Sequence, residues 1–183
     1  VFPAVWQALS TTPKAKCQAV MSVMAGVPMA RIQHGFASHL PVVRAMPNMA
    51  SQVGLGCTGL VASPATSDAI QQDVTALMQA VGEVLWLENE AEIDAVTAIS
   101  GSGPAYFFYF IEALELAAKN LGFSQQAATL LARQTALGAA TIASDQTLTL
   151  DSLRASVTSK GGTTAEALAV LAAADLPSIL QQA

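Results

Sequence analysis

Composition and charge already narrow the classes of protein that this 183-residue chain can belong to. The net charge of −5, with only 8 Lys and Arg residues, argues against nucleic acid as the main partner. Apolar residues make up 52% of the chain and charged residues only 11%, so a monomer could not cover its surface in the usual way. We therefore expect a homo-oligomer that buries the surplus.

The chain contains no apolar run long enough to span a bilayer, and its first residues, VFPAVWQALS, lack the positive charge of a signal peptide. Cys17 and Cys57 fit no metal-binding spacing, and His34 and His39 have no carboxylate or thiol cluster beside them. We expect two reduced thiols, no metal site, no membrane association and a cytoplasmic protein.

Up to about residue 90, short apolar runs alternate with amphipathic stretches. The sequence predicts strands at residues 19–24, 41–46, 57–62 and 83–88, and helices at residues 29–36 and 67–81, with Gly82 as the stop of the second helix. This alternation is typical of an α/β layer with a largely parallel sheet.

After residue 90 the strand pattern disappears. The sequence predicts helices at residues 103–121, 125–145, 150–157 and 163–174, with Gly122 ending the first of them and Ser124 capping the next. The helix at residues 103–121 is apolar around most of its circumference, so we expect it to be buried on most sides. We place the domain boundary near residues 89–100.

The segment GSGPAY at residues 101–106 mimics a dinucleotide-binding loop, but Tyr106 stands where the third glycine of G-x-G-x-x-G belongs. Pro104 suits the first turn of a helix, where its missing N–H costs nothing. Residues 93–99 before it can as easily be helical as extended. We interpret this segment as a tight start of the long helix.

The segment SKGGTT at residues 159–164 precedes a predicted helix and suits an anion. Gly161 and Gly162 let successive N–H groups converge, and the unpaired N–H groups and dipole of a helix start favour negative charge. The alternative is an ordinary capped helix with Thr163 as N-cap and Glu166 as its reciprocal partner. Spacing alone does not decide between the two.

A third motif, RAMPN at residues 44–48, lies at the end of a predicted strand, where open α/β sheets place ligands. The alternative is an edge turn, which is favoured when the motif is taken alone. No nucleophile–base pair stands out anywhere in the chain, so an enzyme of this sequence would rely on a cofactor for its chemistry.

Four motifs, in this order, resemble the pyrroline-5-carboxylate reductase family. They are VVRAMPN at residues 42–48, DAVTAISGSGPAY at 94–106, FIEAL at 110–114, and VTSKGGTT with its continuation AEAL at 157–168. The resemblance implies an α/β domain of Rossmann type followed by an all-α domain that forms a homodimer or a larger homo-oligomer. It places the two domains at residues 1–92 and 93–183.

The resemblance also implies NADPH- or NADH-dependent reduction of 1-pyrroline-5-carboxylate to L-proline, the last step of proline biosynthesis. It assigns the substrate carboxylate to Ser159 and to the loop Gly161, Gly162 and Thr163, and the ring nitrogen to the hydroxyl of Thr164, which is the one catalytic residue expected. The residues that it places on the nicotinamide side of the cofactor are Ala25, Gly26, Pro47, Asn48, Ser156 and Val157.

The chain departs from the family pattern in ways that bear on its activity. In the family, a glycine-rich strand–loop–helix precedes the region where this chain begins, and Lys160 replaces a common proline. We therefore expect an N-terminally truncated or fragmentary member that holds its cofactor weakly by itself. The alternatives are a catalytically silent remnant, serving as a helical dimerisation or ligand-binding module, and a related reductase for another small carboxylate.

Overall fold

The computed structural model describes residues 17–35 and 40–183 of the chain. It divides into two compact units, Val1–Phe110 and Ile111–Ala183, which we call the first and the second unit and describe separately.

The first unit is built around a four-stranded sheet. Its elements are β1 (Val20–Ser22), α1 (Met29–Gly35), β2 (Val42–Met46), a 3-10 helix (Met49–Val53), β3 (Gly56–Ala62), α2 (Asp68–Gln79), β4 (Gly82–Trp86), α3 (Glu92–Val96) and a π-helical turn (Thr97–Gly101). Each of the four predicted strands and both predicted helices is found, with shifts of a few residues at their ends. Residue 36, at the predicted end of α1, lies outside the described residues.

The strands lie in the order β1-β2-β3-β4. The pairs β1–β2 and β3–β4 are parallel, as expected, whereas β2 and β3 run antiparallel, with Val43 opposite Ala62. The reversal follows from the short connection at residues 47–55, because a parallel crossover takes about a dozen residues or more. The sheet is therefore mixed rather than largely parallel.

Neighbouring residues of the central strands point to opposite faces of the sheet, so each face has its own core. Val42 and Val61 pack with Met29, Ile32 and Ile93 on one face. The other face is formed by Val43, Ala45, Leu60, Val74 and Met78. Since Met29 and Ile32 belong to α1, Ile93 to α3, and Val74 and Met78 to α2, the unit has three layers, as in other α/β folds.

Gly82 has a different role from the one predicted. The helix α2 ends at Gln79, with Ala80 as its C-cap, and Gly82 is the first residue of β4. Its φ is +149°, and a Cβ at this position would collide with the backbone of Gly56. The close approach of β3 and β4 at their first pair therefore requires glycine here.

The remaining helices are α4 (Gly103–Asn120), which begins in the first unit, and α5 (Gln125–Ala143), α6 (Leu150–Ser156), α7 (Thr163–Ala173) and α8 (Leu176–Gln182) in the second. The predicted caps are confirmed: Gly122 ends α4 with a φ of +95°, and the hydroxyl of Ser124 accepts from Ala127 N at the start of α5. The sequence did not predict α8.

The second unit has very little interior of its own. Only Ala128 and Ala132 are buried in α5, and no described residue of α6, α7 or α8 is buried. On α4, Phe107 is 72% and Tyr109 75% exposed. Among the described residues, α4 thus lacks the burial on most sides that the sequence predicts.

Among the described residues, no single helix is long and apolar enough to cross a membrane. The helices α7 and α8 reach that length and composition only when taken together, and they are bent by 45° at their junction.

One partly buried ion pair ties β2 and the start of α1 to the connection between β4 and α3. Arg44 on β2, whose side chain is 8% exposed, donates from Nη1 to Glu90 Oε1 at 2.5 Å. The same oxygen accepts from the backbone N–H of Met29, the first residue of α1, at 2.5 Å. Glu90 thus neutralises a buried cation and satisfies a donor at a helix start.

We expect Glu90→Ala to lower the free energy of unfolding by about 2 kcal/mol, because it leaves the Arg44 guanidinium buried without its partner. Glu90→Gln, which keeps an acceptor oxygen, should cost less. Urea unfolding followed by circular dichroism measures both.

The matched control is Asp151→Ala, which breaks the exposed pair that Asp151 forms with Arg154 on α6. This change should cost less than about 0.5 kcal/mol. Equal losses of unfolding free energy for Glu90→Ala and Asp151→Ala would show that the burial of Arg44 does not make its ion pair more stabilising than an exposed one.

Candidate functional site

The loop SKGGTT ends in a helix start that no side chain caps. Gly162 is the N-cap of α7, with φ −82° and ψ 164°, and Thr163 is the first helical residue. Glu166 N donates to Gly162 O at 3.3 Å, and no side-chain bond joins Glu166 to the cap. The alternative of a capping box with Thr163 as N-cap is therefore wrong.

Three backbone donors at this helix start have no acceptor within the described part of the chain. They are the N–H groups of Thr163, Thr164 and Ala165, which precede the first hydrogen bond of α7. The dipole of the helix places partial positive charge at the same end. Together these features suit a carboxylate or another small anion.

Gly161 is needed for the shape of the loop, and Gly162 leaves room for the Ser159 hydroxyl. Gly161 has a φ of +72°, a left-handed conformation that costs other residues about 1–2 kcal/mol. The next turn closes when Gly162 N donates to Ser159 O at 3.0 Å, and a Cβ on Gly162 would collide with the Ser159 hydroxyl. The Ser159 hydroxyl therefore lies directly beside the N-cap of α7.

The hydroxyls of Ser159, Thr163 and Thr164 form no hydrogen bond with any described residue of this chain. Ser159 and Thr163 are exposed, and Thr164 is half-buried. The structure thus brings the predicted substrate-binding residues together on one loop and one helix start.

Ser156 and Val157 lie at the end of α6, in the same unit as the loop. Ser156 Oγ donates to Leu153 O at 2.7 Å, so its proton is already used within the helix. Val157 is the C-cap of α6, and its side chain is 67% exposed. This side chain offers an apolar surface rather than a polar contact.

The other predicted cofactor-side residues lie in the first unit, at one edge of the sheet. Ala25 and Gly26 follow β1, and Pro47 and Asn48 follow β2. Because β1 and β2 are parallel neighbours, their carboxyl ends meet at the same edge, where open α/β sheets bind ligands. Gly26 has a φ of +69°, and the space beside its Cα is empty.

The side chain of Asn48 has both of its polar atoms engaged inside the protein. Nδ2 donates to Ser100 O at 3.0 Å, and Oδ1 accepts from Cys57 N at 3.2 Å. A ligand at this edge would therefore meet the backbone of Asn48 rather than its amide. The sequence placed Asn48 at the site but gave no sign of these two bonds.

The first unit also contains an open cavity of about 560 Å³ between β3, β4 and the α3–π-turn segment. Apolar side chains dominate its lining, among them Leu85, Trp86, Val96 and Ile99. None of the predicted site residues lines it, and its polar lining residues are Cys57, Glu88, Glu92 and Ser100. Within residues 17–35 and 40–183, no group of three or more His, Cys, Asp or Glu residues could hold a metal ion.

Comparisons with known proteins agree on one family. Residues 90–183 match the family model described as pyrroline-5-carboxylate reductase dimerisation. The pyrroline-5-carboxylate reductase of Pseudomonas aeruginosa is 42% identical over 180 residues, covering 98% of this chain and 66% of that protein. That of Vibrio alginolyticus is 44% identical over 165 residues, covering 90% and 61%.

A solved structure is similar over almost the same span. The structure of a pyrroline-5-carboxylate reductase from Coxiella burnetii has a TM-score of 0.87 and 38% sequence identity, covering 98% of this chain and 65% of that one. The chain thus spans somewhat less than two thirds of the length of these relatives.

Proposed function

The chain belongs to the pyrroline-5-carboxylate reductase family, and on that premise we propose that it takes part in the reduction of 1-pyrroline-5-carboxylate to L-proline. The observation that carries the proposal is the uncapped start of α7, whose free N–H groups suit the one fixed negative charge of that substrate. The reaction would be the last step of proline biosynthesis.

In the proposed site the carboxylate lies against the N–H groups at the start of α7, with the hydroxyl of Ser159 beside it. Gly161 gives the loop the shape that leaves these donors free, and Gly162 leaves room for the Ser159 hydroxyl. Thr163 adds a further hydroxyl. The substrate would then be fixed at one end, which orients its ring for reaction.

Thr164 is the residue that we propose acts at the reacting C=N bond. Its hydroxyl is one residue further into the helix than that of Thr163 and is half-buried. A hydroxyl donor can hydrogen-bond the ring nitrogen, which gains electron density as its carbon accepts a hydride. The ring nitrogen would take its proton from solvent before the hydride arrives, so that hydride addition gives the neutral amine, and we assign no general acid.

The hydride would come from NADPH or NADH, which is the chemistry that the cofactor supplies when bound. We propose that Ala25, Gly26, Pro47, Asn48, Ser156 and Val157 line its nicotinamide side. The fit is supported by the shared edge of β1 and β2 and by the open space beside Gly26, where backbone can approach a ligand closely. For Asn48 the contact would be made by the backbone, since the side chain is engaged.

We propose a cofactor-binding domain at residues 1–92 and a dimerisation and substrate domain at residues 93–183. The family match at residues 90–183 supports this boundary. The first compact unit of the structure ends later, at Phe110. We further propose a cytoplasmic homodimer, or a larger homo-oligomer. Two free cysteines support the reducing location, and the exposed apolar residues of the second unit support the oligomer.

The proposed reaction is tested by following NADPH and NADH oxidation with 1-pyrroline-5-carboxylate, together with L-proline formation. The assay uses the 183-residue chain and the same chain joined to the N-terminal segment of the Pseudomonas aeruginosa relative, with that intact relative as positive control. Proline formation by the joined protein is the expected result. A folded joined protein without activity, beside an active control, would refute the proposal.

Within the active protein, we expect Thr164→Val to lower kcat/KM about 100-fold, because it removes the hydroxyl that faces the ring nitrogen. Thr164→Ser, which keeps that hydroxyl, should retain most of the activity. Thr141→Val is the control, since the Thr141 hydroxyl donates to Leu137 O within α5. Normal turnover by Thr164→Val with an intact oligomer would show that Thr164 has no such role.

If the second unit forms the oligomer interface, a leucine-to-glutamate substitution should weaken the dimer in that unit but not in the first unit. Leu130 on α5 is 65% exposed and lies in the second unit, whereas Leu77 on α2 is 59% exposed and lies in the first. Leu130→Glu should raise the dissociation constant of the dimer about tenfold or more, because the carboxylate would be buried. Leu77→Glu should leave it unchanged, and sedimentation equilibrium distinguishes the two. Identical sedimentation of both variants would contradict an interface on α5.

A further inference from the structure

The path from α3 through the π-turn to α4 contains one carbonyl, that of Ser100, that lacks its usual helical hydrogen bond. In a continuous α-helix the carbonyl of Ser100 would accept from the N–H of residue 104. Residue 104 is proline and has no N–H. Two nearby N–H groups are used elsewhere: Ser102 N donates to Thr97 O at 2.8 Å, and Ala105 N donates to Ser102 O at 3.0 Å.

Asn48 supplies the missing donor from another part of the unit. Its Nδ2 donates to Ser100 O at 3.0 Å across 52 residues of sequence. The other end of the same amide, Oδ1, accepts from Cys57 N at the start of β3 at 3.2 Å. One side chain thus joins the end of β2, the start of β3 and the π-turn.

Asn48 occupies a position at which a local capping hydrogen bond is expected. Asn48 is the N-cap of the 3-10 helix Met49–Val53, where an asparagine side chain usually bonds its own helix. It makes no such bond. Its Oδ1, the atom that would cap the helix, accepts from Cys57 N instead, which leaves Nδ2 directed at the π-turn.

A second contact brings the same two segments together. A Cβ on Gly101 would lie 3.0 Å from the terminal methyl of Met46, which is the last residue of β2. The Met46 side chain at the end of β2 thus packs closely beside Gly101 of the π-turn. Mid-helix π-turns of this kind occur frequently at functional sites.

We infer that Asn48 is a positioning residue, whose carboxamide replaces the donor withheld by Pro104 and fixes the turn at Pro47–Asn48 against the π-turn. This inference rests on the proposed function, because that turn would line the nicotinamide side. By holding the turn in place, Asn48 aligns its backbone with the cofactor without contacting the substrate. The link also anchors the cofactor-side edge of the sheet to the start of α4.

The test is a set of variants in which each end of the amide is removed separately. Asn48→Ser removes both bonds, and Asn48→Asp keeps the acceptor for Cys57 N but loses the donor to Ser100 O. Pro104→Ala restores a backbone N–H that can donate to Ser100 O, so it should rescue the π-turn in the Asn48→Asp background. Asn89→Ser is the control, because the exposed amide of Asn89 also makes two bonds, to Glu92 Oε1 and from Ala91 N.

Amide hydrogen exchange of the 183-residue chain gives the first readout. Asn48→Ser should speed exchange at Cys57 and in the π-turn, Asn48→Asp in the π-turn only, and added Pro104→Ala should return the π-turn of Asn48→Asp toward wild type. Asn89→Ser should change neither region. Unchanged exchange at both ends of the link in Asn48→Ser would overturn the inference.

Kinetics of the active protein give the second readout. Asn48→Ser should lower kcat about tenfold while leaving KM for 1-pyrroline-5-carboxylate unchanged, since the substrate loop is untouched. Faster exchange with a normal kcat would make the link structural only and would overturn the positioning role. If the wild-type protein lacks reductase activity, the proposed function fails, and hydrogen exchange alone decides whether the amide link exists.

Discussion

Backbone groups that a helix cannot satisfy internally determine the chemistry of both units. At the π-turn, Pro104 leaves the Ser100 carbonyl without its usual donor, and the Asn48 amide supplies one. At the start of α7 the opposite holds: the N–H groups of Thr163, Thr164 and Ala165 find no acceptor among the described residues. A backbone group that has no partner in its own helix needs one from elsewhere. At the π-turn that partner is a side chain of the same unit, whereas the start of α7 is left suited to a ligand.

Local pattern was enough to predict most of the elements, because alternation, helical spacing and capping residues act over a few positions. Ser124 and Gly122 cap where their chemistry predicts, and GSGPAY begins a helix rather than a nucleotide loop. The antiparallel pairing of β2 and β3 was missed because it depends on the length of a connection. The helix α8 was missed because Asp175, with a φ of +51°, breaks the path after α7 before Leu176 restarts it.

The candidate site was only partly predictable for a related reason. The glycines and hydroxyls of the SKGGTT loop are local features, but the absence of a cap on α7 appears only in three dimensions. The two bonds of Asn48 span 52 and 9 residues, and no short-range pattern announces them. A proline four residues after Ser100 was the one available clue. The exposed aromatic residues of α4 agree with the composition, since 52% apolar and 11% charged residues leave apolar side chains on the surface.

The central claim is that the start of α7 holds a carboxylate, and backbone amide chemical shifts test it most directly. L-Proline, which carries the carboxylate, should shift the ¹⁵N–¹H resonances of Thr163, Thr164 and Ala165, whereas pyrrolidine, which lacks it, should not. The shifts should saturate together with a single dissociation constant. Resonances that stay in place with L-proline, or that move equally with pyrrolidine, would contradict the claim.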